Sequence, residues 1–228
     1  MQERTKLKLA SHGKKVDKFG MPVPEIMDMV AGTGLLPLTS CSIDTGDRGL
    51  LSAFVERWHD QTSSFHLPVG EVTITLDDVA SLLHLPIKGA FYTPDAIDVN
   101  QAPWILTELL GVSLGDATDE TRHCRGAYVR LQWLRDVYAA KCASRDWRFA
   151  ARAYLLHLVG CTIFANKSST HIGVGFLGAF RDLQQSGGYC WGAAALVHMY
   201  DNLNCACKHE GKHLAGYITL LQVNTNKG

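Results

Sequence analysis

Three short stretches carry residue types at spacings that chemistry uses. Residues 111–115 read Gly-Val-Ser-Leu-Gly, the pattern of a hydrolase nucleophile elbow. That reading needs a strand before the serine and a helix directly after it, which hold the hydroxyl on a strained turn beside an oxyanion hole. Here "APWILTELL" comes first, with helical apolar spacing, so Ser113 is expected in a loop that ends a helix. Residues 173–178, "GVGFLG", match Gly-x-Gly-x-x-Gly. A dinucleotide site would also require a buried strand ahead and an acid about twenty positions on to hold the ribose. "NKSSTHI" precedes the glycines and only Asp201 follows at that distance, so a glycine-rich helix start is expected instead.

The third stretch, "CACKHEGKH", places Cys205, His209 and His213 at successive i, i+4 positions. One helical face would present all three to a zinc ion. Gly211 threatens that helix and the spacing is not that of a finger, so the three stand as metal candidates and no metal site is assigned. His66 and Glu71 can face each other across a hairpin as an ordinary polar pair; a pocket joining them to Asp77 or Asp78 would instead speak for an enzyme. No lysine stands out in an apolar segment as a Schiff-base former. No catalytic set and no cofactor is assigned.

These residues depend on the elements around them. The apolar spacing predicts helices from Pro24 to Val30, from Leu50 to Trp58, from Trp104 to Leu110, from about Glu120 to Ala143, from Trp147 to Phe164, and around Phe176–Leu183, with further helices from near Trp191 and near Leu214. The stretch from Trp147 is apolar on nearly every side, as a central helix would be. Between residues 64 and 76 the period changes to two. Phe65 and Leu67 alternate with polar neighbours, Pro68-Val69-Gly70 supplies a turn, and Val72, Ile74 and Leu76 resume the alternation, so one small β-hairpin is expected. Thr75 three residues before Asp78 is a helix-start signature for the segment carrying Val79, Leu82 and Leu83. The expected fold is mainly α: a multi-helix domain with that hairpin as its only notable β structure, and with Trp58, Phe65, Leu67, Val79 and Leu82 buried together.

Composition bounds the function classes. The 228 residues are 46% hydrophobic and 19% charged, with formal net charge zero, a globular composition without an overall pull toward nucleic acid or an anionic membrane. Seven cysteines, an odd and scattered set, follow an opening that is charged rather than leader-like, which favours reduced thiols in the cytosol or nucleus. The apolar run 153–165 falls short of the ~20 residues that span a bilayer, so no membrane partner is expected. Residues 1–22 open with six Lys/Arg against two acids in the first twenty and are expected to form a solvated basic arm; nucleic-acid binding would rest on it.

Several blocks together resemble a known family. "LLSAFVERWHDQTSSFHLPVGEVTITLDDVASLLHLPIKG" (50–89), "ARAYLLHLVGCTIFANKS" (151–168), "GGYCWGAAALVHMYDNL" (187–203) and "AGYITLLQ" (215–222) are similar, in this order, to the signature of the plant mobile domain, in its MAINTENANCE OF MERISTEMS-like branch. The resemblance covers roughly residues 25–222 and places the domain at 23–222. It makes Trp58, Phe65, His66, Leu67, Pro68, Gly70, Glu71, Thr75, Leu76, Asp78 and Trp191 signature positions of a structural kind. It implies a nuclear, noncatalytic protein linked to meristem maintenance, genome integrity and transposable-element silencing. Its partners would be other nuclear proteins, among them a plant serine/threonine phosphatase of the type fused to this domain. "Aminotransferase-like", a label the family carries, finds no pyridoxal-phosphate site here. Family members continue past the Leu-Leu-Gln block into an aromatic-rich helix, whereas here "VNTNKG" follows, so a domain truncated at its carboxyl end with a disordered tail at 223–228 is expected.

Overall fold

The structure, a computed structural model, describes residues 8–9, 13–40, 48–168, 170–208 and 213–225. After a short strand β1 (Lys8–Leu9) come α1 (Gly13–Phe19), α2 (Pro24–Gly32), a 3₁₀ turn (Leu36–Thr39) and α3 (Arg48–Glu56). Three strands follow, β2 (Trp58–His59), β3 (Ser64–Leu67) and β4 (Gly70–Val72), and then α4 (Leu76–Leu83), α5 (Ala102–Leu110) and α6 (Leu114–Cys124). The second half holds β5 (Tyr128–Arg130), α7 (Leu131–Ala143), α8 (Trp147–Cys161), β6 (His171–Gly173) and a 3₁₀ segment (Val174–Phe180). It ends with α9 (Leu183–Ser186), α10 (Trp191–Cys207), β7 (His213–Leu214) and α11 (Ile218–Thr225). The fold is mainly α.

The axis of the molecule is α8. Every residue from Ala150 to Cys161 is buried, because α7, α2, α5, α1 and the second 3₁₀ segment pack around it. Two polar side chains lie inside this wall. Arg152 donates to three backbone carbonyls, Phe180 at 2.9 Å, Arg181 at 2.6 Å and Leu109 at 3.3 Å, so its guanidinium replaces lost water with main-chain acceptors. His157 sits against the Phe19 ring at 4.0 Å. Burial, with the charges of Arg135 and Lys15 behind it, pulls its pKa down to about 3, so the ring is neutral at pH 7.

Sheet content exceeds the single expected hairpin. β2, β3 and β4 form a three-stranded antiparallel sheet with Trp58 opposite Phe65 and His66 opposite Glu71. β5 pairs antiparallel with β6, and β1 pairs parallel with β7. Other boundaries also differ from the expected ones. Trp58 leaves the helix and starts β2. The helix expected over 120–143 is two helices, because Arg125 turns left-handed at φ 55° to end α6, and β5 intervenes before α7. The segment around Phe176 is 3₁₀ rather than α, and Leu214 lies on β7 with the last helix starting at Ile218.

Elements are present in the described parts of both terminal segments. α1 lies within the expected basic arm, yet Val16 is buried and Phe19 stacks on Tyr154 at 4.9 Å, since this short helix has one apolar face for α8. Residues 223–225 continue α11. Residues 1–7, 10–12, 41–47, 169, 209–212 and 226–228 lie outside the described residues.

Candidate functional site

The signature stretch folds as one unit against α10. Trp58, Phe65 and Val79 are buried, and Leu67 and Leu82 are half-buried against the same core. The Trp58 and Phe65 rings meet at 4.7 Å and Tyr200 of α10 approaches Trp58 at 5.1 Å. Polar atoms fasten the unit at two more points. The Trp58 indole N–H donates to Asn204 Oδ1 at 2.7 Å, and the Tyr200 hydroxyl sits between Thr73 Oγ1 and the Ile74 carbonyl.

At the exposed turn, Pro68 and Val69 connect β3 to β4, and Gly70 takes φ 129°, a value that side chains resist. Thr75 and Asp78 then form a complete capping box, each side chain bonded to the other residue's backbone N–H, with Leu76 as the first helical residue. His66 and Glu71 pair at 3.0 Å on the sheet's outer face, where His59 stacks on His66 at 3.6 Å. Asp78 is committed to the cap through Thr75. Trp191, the remaining signature residue, is fully buried, and its N–H is shared between the carbonyls of Thr33 and Ser186 at 2.9 and 3.0 Å.

Two of the three chemistry-like stretches have architectural uses. Ser113 is the N-cap of α6: its oxygen accepts from Asp116 N–H at 3.0 Å. In "GVGFLG" Gly175 admits neighbouring backbone. A Cβ on Gly175 would collide with the Asp95 carbonyl oxygen, and the Tyr92 hydroxyl donates to the Gly175 carbonyl at 2.6 Å. Cys205 is on α10, which ends at Cys207, while His213 is on β7, so no single helical face carries them; His209 lies outside the described residues. Among the described residues no group of three or more His, Cys, Asp or Glu is placed to hold a metal ion.

A groove between α6 and α7 was not foreseen. It encloses about 590 Å³ and is lined by one face of each helix together with the loop at Gly111. At its base Arg130 grips Glu120 with both ends of its guanidinium, at 2.6 to 3.1 Å, while the Arg130 backbone N–H adds a bond of 2.7 Å. The Glu120 side chain is 1% exposed. Burial alone would raise its pKa, but the Arg130 hydrogen bonds and charge outweigh this and hold the carboxyl below its ordinary value. The adjacent Cys124 thiol is pushed up to about 12 by burial and by Glu120, which leaves it protonated and poorly nucleophilic. The pair spans ten residues across an unforeseen break between helices, so no motif in the sequence announces it.

Residues 34–226 match the model of the plant mobile domain. The chain belongs to the plant mobile domain family. It is similar to Protein MAIN-LIKE 1 of Arabidopsis thaliana, 36% identical over 225 residues, which are 97% of this chain and 43% of that protein. Protein MAINTENANCE OF MERISTEMS of the same plant is 34% identical over 227 residues, again 97% of this chain and 44% of that protein. A serine/threonine-protein phosphatase 7 long form homolog, also from Arabidopsis thaliana, is 33% identical over 180 residues, 78% of this chain but 13% of its own length. The chain thus spans less than half the length of these curated relatives. No solved structure matches it.

Proposed function

We propose that this plant mobile domain is a noncatalytic interaction module of nuclear assemblies, acting in meristem maintenance, genome integrity and the silencing of transposable elements. The observation that carries the reading is what the signature residues do. Trp58, Phe65, Thr75, Asp78 and Trp191 spend their rings and polar atoms on internal packing, caps and tethers, which is the work of a scaffold that presents surfaces. The relatives lend support. One bears the name Maintenance of Meristems, and another, named as a phosphatase, has most of its length outside the region similar to this chain, as expected of a module carried beside a catalytic domain. A phosphatase of that type and other nuclear proteins are its proposed partners.

The test is to express the tagged chain in meristem tissue, follow its distribution, and purify its complexes beside a Trp191→Ala variant that loses the fold. Nuclear accumulation with recurrent partners, absent from the variant, supports the proposal. Exclusion from the nucleus, or recovery without stable partners, overturns it.

A further inference from the structure

We propose that the groove between α6 and α7 docks a basic peptide segment, one that carries Arg or Lys beside an apolar residue. The two walls differ in character. α7 contributes Trp133, Asp136, Val137 and Ala140, and α6 contributes Asp116 and Asp119. These residues recur at three and four positions along each helix, so each wall is a continuous face. At about 590 Å³ the space lies within the ~300–1,000 Å³ of ligand clefts, suited to side chains of an extended segment rather than to a globular face.

Charge selects the occupant. Both cations of the groove are engaged within the protein: Arg130 by Glu120, and Lys141 by the Gly111 carbonyl at 2.8 Å with Asp146 at 3.7 Å. The aspartates keep open sides. Asp119 meets Arg122 in a pair whose side chains are 75% and 73% exposed, a contact worth little in water. Asp116 bonds its own cap residue Ser113, and Asp136 accepts from Gln132, neither of which neutralises a carboxylate. Asp116 and Asp136, hydrogen-bonded only to neutral groups, and Asp119, held only by the exposed Arg122, line the same groove as Trp133; they attract a guanidinium or ammonium by charge-assisted hydrogen bonds and cation–π contact and repel an acidic segment.

This deepens the interaction-module reading by naming the partner's chemistry, and it is tested without reference to the nucleus. Fluorescence anisotropy with the purified chain uses a short labelled peptide of repeated Arg-Leu-Ser, with counterparts carrying Glu or citrulline in place of Arg. Asp119→Asn/Asp136→Asn is compared with Asp60→Asn/Asp201→Asn, exposed acids elsewhere, after thermal melts establish that both variants fold. The Arg peptide is expected to bind, citrulline to bind less and Glu not at all, with affinity about tenfold weaker in the groove variant and unchanged in the control. No binding of the Arg peptide, equal binding by the groove variant, or equal loss in the control would overturn the proposal. A negative result beside intact nuclear complexes refutes the groove and leaves the module reading standing; peptide binding without such complexes does the reverse.

Discussion

Buried polar residues give the most direct residue-scale tests. His157 is neutral in the fold, with its pKa near 3, while in the unfolded chain an imidazole titrates near ~6.5. Between those values the unfolded state holds a proton that the folded state lacks, so stability is complete above about pH 6.5 and falls as pH drops, by up to about 1.4 kcal/mol per unit. Replacing His157 by Leu should flatten that fall. Denaturant midpoints at pH 7 and pH 5, wild type against variant, measure it, and parallel losses in both proteins would reject the assignment. Trp58 offers a second test: its ring is 4% exposed and its N–H is bonded to Asn204. Trp58→Ala should cost about 3–5 kcal/mol in a denaturant titration.

At the scale of elements, the caps matter most. The Thr75–Asp78 box closes the start of α4, and Thr75→Ala should cost about 1 kcal/mol with the unfolding slope unchanged. That box, the hairpin turn and the all-round apolar α8 were legible in the sequence because each is encoded locally: a side-chain spacing, a Pro-x-Gly turn, a missing polar face. β5 and β6 were not legible. Three residues such as Tyr128-Val129-Arg130 have too little period to register as a strand, and their pairing with His171–Gly173 joins segments some forty positions apart. The α6–α7 groove followed them out of sight, since it exists only because β5 separates two helices that the apolar spacing joined into one. Ser113 shows the converse: its motif was visible, but its role as a helix cap depended on α6 starting earlier than expected.

Across the whole molecule, α8 contacts helices from both halves of the chain, and Trp191 ties residues 33 and 186 together from the start of α10. A structure with one shared interior of this kind should unfold as one unit. Circular dichroism at a helical wavelength and tryptophan fluorescence are therefore expected to give coincident denaturant curves, and the Trp58→Ala variant should shift both equally. Separated midpoints would instead divide the chain into independently melting parts.

The close approach of Asp95 to Gly175 has a use outside biophysics. Because any side chain there strikes backbone rather than a yielding rotamer, a diverged copy of this chain can be judged from a single codon. A copy that has gained a side chain there has given up the passage through which residues 92–95 lie against the second 3₁₀ segment, however much of its remaining text still reads as kin.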